Sequence, residues 1–182
     1  MRLTTERLVL RPWQDKDRSP MASIYSDARV GRFYPKVRTA EEANIEIDLA
    51  IECARTNGFH FQAAELKGCG EFIGMIGLGV LSQSAQAVIP THPRVEIGWV
   101  LAKEHWGKGF APEGAQAWLG FAWSIGLPEV VGLTTKANVP SQRVMQKIGM
   151  SYDPLADYES PNLDEGHWLR PRVVYRKRNP TL

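Results

Sequence analysis

Apolar and other positions alternate along residues 95–101, with Val95, Ile97, Trp99 and Leu101 on one face and Glu96, Gly98 and Val100 on the other. A period of two is a strand, and Val100 leaves its second face only partly polar. From Pro112 the spacing changes: Ala115, Trp118, Leu119 and Ala122 recur every three or four residues, along one face of a helix. Pro112 suits the first helical turn, where its missing N–H has no partner in any case. The connection between the two, Gly107-Lys108-Gly109-Phe110-Ala111, is poor in β-carbons. Its backbone N–H groups can converge in front of a helix N-terminus, which suits an anion such as phosphate; a plain tight turn has the same composition. Walker A spacing is absent, and a Gly-x-Gly-x-x-Gly fingerprint fails at Pro112.

The same reading extends along the chain. Residues 7–12 form a short strand stopped by Pro12, and a polar turn leads into helices around residues 19–26 and 27–33. Thr39 and Glu42 make a capping box ahead of an apolar face of Ala43, Ile47, Ala50, Ile51 and Ala54, which ends near Asn57 and Gly58. Residues 59–66 and 72–81 are strands joined through Gly68 and Gly70, so that with 95–101 they predict a three-stranded antiparallel meander. Residues 82–92, polar and without period, read as a long exposed loop. After the helix that ends at Gly126, residues 130–136 read as a strand, parallel to 95–101 through a right-handed crossover. Asn138 and Ser141 open another helix with Val144, Met145 and Ile148 inward and Gly149 as its stop. Strands at 151–158 and 168–176 close the chain. The expected class is α+β, a mixed but mostly antiparallel sheet of about seven strands flanked by helices, in a single domain spanning residues 1–182.

Composition removes several alternatives. The 22 basic and 20 acidic residues nearly cancel, and a formal charge of +2 makes no field for nucleic acid. Cys53 and Cys69 lack CxxC spacing, and His60, His92, His105 and His167 form no HxxxH pattern, so no metal site is expected. The N-terminus has no apolar signal core, and no apolar run approaches the roughly 18 residues of a membrane span. A cytoplasmic protein without a membrane partner is expected.

The two helix starts, 107–111 and 138–141, follow the carboxyl ends of neighbouring parallel strands and should face one cleft. Separately, Asn138 reads as an N-cap and Ser141 as a first-turn filler. Together with residues 95–111, the run from Asn138 through Lys147 to Met150 resembles the GNAT acetyltransferase superfamily, in its RimJ/RimL-like branch of ribosomal-protein N-terminal acetyltransferases. Residues 5–12 resemble that branch's opening strand and 166–176 its closing one, so the likeness spans nearly the whole chain. The resemblance implies a V-shaped splay between the fourth and fifth strands. It also implies acetyl-CoA as co-substrate, with its pyrophosphate on the amides of Gly107, Lys108, Gly109, Phe110 and Ala111. In the superfamily's Arg/Gln-x-x-Gly-x-Gly/Ala pattern Trp106 replaces the Arg/Gln, while Gly109 and Ala111 match. The pantetheine arm would pair with backbone groups of Trp99, Val100 and Leu101, and Asn138 and Ser141 would lie near the thioester.

Acetyl transfer to an amine needs a base for the amine, donors for the developing oxyanion and a proton for the thiolate. Glu96 is the candidate base, directly or through water; its alternative is an ion pair with a neighbour such as Arg94 or a structural hydrogen bond. The helix at 138 lacks the tyrosine that many superfamily members use as acid, which leaves Ser141, acting on the sulfur or through water. Tyr152, Tyr158 and Tyr175 remain open. Lys108 is a further phosphate contact, and Arg143 or Lys147 a partner for the 3′-phosphate, although exposed helix lysines are often merely solvated. The expected activity is direct acetyl transfer from acetyl-CoA to a primary amine, a protein N-terminus or a small molecule. A non-catalytic acyl-CoA sensor or interaction module is the alternative. Acidic Asp153, Asp157, Glu159, Asp164 and Glu165 suit a cationic amine or simply solvent. Oligomeric state stays open, a homodimer included.

Overall fold

The computed structural model describes residues 1–182. Its elements in chain order are β1 (Leu3–Thr4), β2 (Leu8–Arg11), α1 (Arg18–Ser26), α2 (Ala28–Gly31), α3 (Ala40–Asn57), β3 (Gln62–Leu66), β4 (Phe72–Val80), α4 (Gln83–Val88) and β5 (Val95–Leu101). They continue with α5 (Phe110–Ser124), β6 (Glu129–Thr135), α6 (Val139–Lys147), β7 (Ser151–Tyr152), β8 (Tyr158–Glu159) and β9 (Pro171–Arg178). Nine strands form one sheet of order β1-β2-β3-β4-β5-β6-β9-β7, with β8 on β9. Every pairing is antiparallel except β5 with β6.

The period-two strands divide their residues between two faces. On one, Leu8, Leu10, Ile76, Leu78 and Ile97 pack under Trp118 and Leu119 of α5 and Met145 of α6. On the other, Met75 and Val100 meet Met21, Ile24, Tyr25, Ala43 and Ile47 from the α1 to α3 layer. β5 therefore contributes to both cores, as its alternation predicts. The α3 capping box forms, Thr39 accepting from the Glu42 N–H at 3.2 Å and Glu42 from the Thr39 N–H at 2.9 Å. Gly58 closes that helix with a left-handed φ of 82°.

Two expectations are corrected. The sheet has nine strands rather than about seven: Leu3–Thr4 adds one, and the stretch 151–158 is two short strands separated by a 3-10 turn at Pro154–Ala156. Pro154 has no N–H for a ladder, which interrupts what periodicity reads as one strand. The stretch 82–92 contains a helix. Ser82 caps α4 by accepting from the Ala85 N–H at 3.2 Å, and Ile89 behind it is fully buried against Leu81, Val131, Ala156 and Val174.

What positions the site is the parting of β5 from β6. Their parallel pairing is confined to Glu96 opposite Val131, near the start of β5. The Leu81 N–H bonds to the Arg94 carbonyl and the Ala102 N–H to the Ile73 carbonyl, so even-numbered backbone groups along β5 turn toward β4. Odd-numbered ones turn toward β6, which leaves the N–H and C=O of Trp99 and the N–H of Leu101 facing the gap.

Candidate active site

The gap opens into a cleft of about 570 Å³ between the α1 to α3 layer and the starts of α5 and α6. Glu96, Trp99, Val100, Leu101, Gly107, Gly109, Phe110, Ala111, Asn138 and Ser141 all line it. Of the residues named from sequence, Lys108 is absent from the lining; its side chain is exposed.

The turn into α5 is held open by two left-handed glycines, Gly107 at φ 75° and Gly109 at φ 84°. The first backbone N–H of this region with a backbone partner is that of Glu113, which bonds to the Gly109 carbonyl at 3.2 Å; the N–H groups of residues 107–111 have none. Five free amides at a helix N-terminus make a concave donor surface that fits a phosphate. The turn is braced from behind by Arg7, whose guanidinium donates to the Lys108 carbonyl at 2.9 Å, pairs with Glu113 at 2.6 Å and lies 4.8 Å from the Phe110 ring centre. Glu113 also accepts from the Thr5 hydroxyl at 2.5 Å. The Trp106 indole N–H donates to the Leu101 carbonyl at 2.8 Å, so Trp106 anchors the connection from β5 into this turn.

At the start of α6, Asn138 and Ser141 bind each other. The Asn138 Oδ1 accepts from the Ser141 N–H at 3.3 Å, and its Nδ2 donates to the Ser141 Oγ at 3.0 Å. The N-cap reading and the cleft reading are thus both realised. With its oxygen engaged as acceptor, the Ser141 hydroxyl keeps its proton for a partner in the cleft. Two of the tyrosines left open by the sequence are engaged elsewhere, Tyr152 with Asp157 and Tyr175 with Gln142 and Gln146, whereas Tyr158 lies near Arg172 and within electrostatic reach of Glu96. Tyr158 stands opposite Arg172 in the β8 to β9 register.

Glu96 points to the α1 to α3 side. It makes no ion pair with Arg94, which is exposed. The Phe61 ring lies over a floor of Gly79 and Gly98 beside it, so close that a β-carbon at either glycine would sit 3.0 or 3.1 Å from the ring. Burial pushes the Glu96 carboxyl up to about 7, and the Arg172 guanidinium pulls the other way. A carboxylate poised there accepts a proton near neutrality. The same wall carries Tyr34, whose hydroxyl is pushed up by burial. Arg38 lies 4.5 Å from the Tyr25 ring centre and 4.8 Å from that of Tyr34, and it pairs with Glu46. At the mouth Arg32 stacks on Phe33 at 4.5 Å, and Phe33 meets Trp168 at 6.3 Å. Arg143 and Lys147 line the α6 side.

Tyr34, Phe61 and Arg172 were not legible as site residues. Phe61 and Arg172 sit in ordinary strand contexts and Tyr34 in a turn; only tertiary assembly brings them to Glu96.

With fold and cleft in place, comparison with known proteins defines the class. The acetyltransferase (GNAT) domain family matches the chain over residues 7–151, and the chain belongs to that family. Among its relatives, Bacillus subtilis YoaA, described as an uncharacterized N-acetyltransferase, is 30% identical over 155 residues, covering 81% of each chain. An acetyltransferase structure from Agrobacterium tumefaciens superposes with a TM-score of 0.79 at 26% identity, covering 98% of this chain and 94% of that one. RimL, a ribosomal-protein acetyltransferase solved in complex with coenzyme A, shares the fold at a TM-score of 0.77 and 13% identity, each chain covered to 98%. The chain is therefore an N-acetyltransferase by family. No helix is long and apolar enough to cross a membrane.

Proposed function

We propose that this chain, as one catalytic domain over residues 1–182, transfers an acetyl group from acetyl-CoA to a primary amine by direct transfer in a ternary complex. The observation that carries this reading is the meeting of two features in one cleft: the five free amides of residues 107–111 and the half-buried carboxylate of Glu96. The residues present fit acetyl-CoA. The amides of Gly107, Lys108, Gly109, Phe110 and Ala111 would hold its pyrophosphate, and the open edge of β5 at Trp99 to Leu101 would pair with its amide-bearing arm. Arg143 and Lys147 offer cations for a further phosphate. Acetyl-CoA supplies an acyl group activated as a thioester.

Glu96 then takes the proton of the incoming amine, directly or through one water, and its raised pKa matches that task. Ser141 donates its free hydroxyl proton toward the departing sulfur, held in place by Asn138. Because a thiolate leaves readily, this second role contributes less than the first. The covalent route has no candidate nucleophile here: Cys53 is on α3 and Cys69 is an exposed hairpin residue, and neither lines the cleft. The RimJ/RimL-like likeness supports a protein N-terminus as acceptor, and a cleft of about 570 Å³ has room for a small amine. Steady-state release of CoA from acetyl-CoA with a panel of peptides and small amines tests the reading. Stimulated release is expected with at least one amine; tight acetyl-CoA binding with no release toward any amine would leave a sensor instead.

A further inference from the structure

The wall facing Glu96 carries a cation that has no acidic partner and whose near neighbour is the Tyr158 hydroxyl. Arg172 on β9 pairs in register with Thr135 of β6 and Tyr158 of β8. Glu96 is level with Val131 and, through it, with Arg176. Arg172 therefore lies on the same sheet face four residues, about 13 Å, further along β9, toward the end where β5 and β6 part. Its side chain lines the cleft, its Nε is buried without a hydrogen-bond acceptor, and it forms no ion pair. The neighbouring arginines differ: Arg176 is held by Glu129 and Asp153, and Arg170 by Glu159 at 3.1 Å.

Those pairings also use up the acidic residues that suited a cationic acceptor. Asp153 goes to Arg176 at 2.9 Å, Glu159 to Arg170, and Asp157 accepts from the Tyr152 hydroxyl and the Val174 N–H. Asp164 and Glu165 are exposed outside the cleft. Within the lining only Glu46 and Glu96 are acidic, and Glu46 is paired with Arg38. Glu96 makes no ion pair with Arg172, whose charge only partly offsets the effect of burial, and a direct pair would depress the basicity its role needs. A buried guanidinium N–H without an acceptor is costly and calls for one. Its planar fork matches a carboxylate.

We propose that Arg172 binds a carboxylate belonging to the acceptor, so that the acceptor class is a free α-amino acid, its amine toward Glu96 and its carboxylate toward Arg172. The proposal rests on the N-acetyltransferase reading and adds the substrate class. A peptide N-terminus has an amide where a free amino acid has this carboxylate, and so lacks the anchor.

The test is CoA release with matched acceptors: free L-amino acids, their carboxamides, the corresponding decarboxylated amines and short peptides, using the wild type, Arg172→Gln and Arg172→Lys. Wild type is expected to favour a free acid over its carboxamide by about 30-fold or more in kcat/KM. Arg172→Gln should bring acid and carboxamide to nearly equal kcat/KM, the loss on the acid appearing in KM, with affinity for acetyl-CoA within about twofold and both acceptors compared at a pH well above the Glu96 titration, and Arg172→Lys should restore part of the preference. Equal losses on acid and carboxamide would make Arg172 structural and overturn the proposal. So would wild-type turnover of carboxamides, decarboxylated amines or peptides as good as that of free acids, with the N-acetyltransferase reading intact. Absence of release with every amine would overturn that reading and this proposal together. Should Arg172→Gln fail to bind acetyl-CoA, the wild-type acid-to-carboxamide ratio and Arg172→Lys still decide.

Discussion

The two walls of the cleft are built in different ways. The wall at residues 107–111 offers main chain: five amides without a backbone partner, in a turn held by two left-handed glycines. The wall around Glu96 is side chain: Tyr34 from the segment after α2, Phe61 before β3, Glu96 on β5 and Arg172 on β9. A backbone site depends on the local path of a dozen residues. A side-chain site depends on four distant segments arriving together, and so it is where one member of a fold family differs from another.

Changes on the two walls should separate binding from turnover. The largest effect is expected from Gly109→Ile, because its φ of 84° suits only a residue without a β-carbon and a new one would meet the Arg7 guanidinium at 3.2 Å. Acetyl-CoA affinity by calorimetry should fall about 100-fold or more; normal affinity in this variant would remove the pyrophosphate from the glycine turn. On the other wall, Glu96→Gln should lower kcat by about 100-fold while acetyl-CoA affinity stays within about twofold. Loss of binding there would make Glu96 structural and erase the contrast. The sign with pH follows from its cause: burial raises the Glu96 pKa to about 7, so the base form accumulates as pH rises through that value. Wild-type kcat should climb between about pH 6 and 8, and Glu96→Gln should lack that limb.

Smaller effects sharpen the comparison. Removing the brace with Arg7→Ala should weaken acetyl-CoA binding about fivefold to tenfold, with kcat nearly unchanged, since it frees the Lys108 carbonyl and Glu113 without touching the acceptor side. Ser141→Ala should reduce kcat about fivefold with affinity for acetyl-CoA retained, and a single-turnover measurement would detect it. The smallest effect is on stability. Between pH 4.5 and about 7 the folded state holds the Glu96 proton more tightly than the unfolded chain does, so stability is lost as pH rises through that window. Glu96→Gln should therefore raise the thermal midpoint at pH 8 and leave it nearly unchanged at pH 4.

Much of the main-chain wall was legible from sequence, because periodicity and glycine spacing are local signals. The switch from the alternation of 95–101 to the three-and-four spacing after Pro112 brackets the turn, and Asn138 with Ser141 marks the second helix start. Elements too short to show a period were not legible. Leu3–Thr4 and Tyr158–Glu159 are strands of two residues, and α4 has six residues whose apolar anchor, Ile89, lies beyond its end. Arg172 was invisible for another reason. Its meaning comes from an acceptor that is missing, and a run such as Pro171-Arg172-Val173 looks like any strand with one solvated cation.

The open edge of β5 carries a consequence for how such a chain can change over evolutionary time. Main-chain groups offered at Trp99 and Leu101 exist whatever side chains stand there, so a donor paired with them would tolerate substitutions that would erase a pocket made of side chains. On the proposed reading, mutations on the α1 to α3 wall would reassign the acceptor while the acyl donor stays the same. The parting of two strands thus works as a fixed socket beside an interchangeable tool.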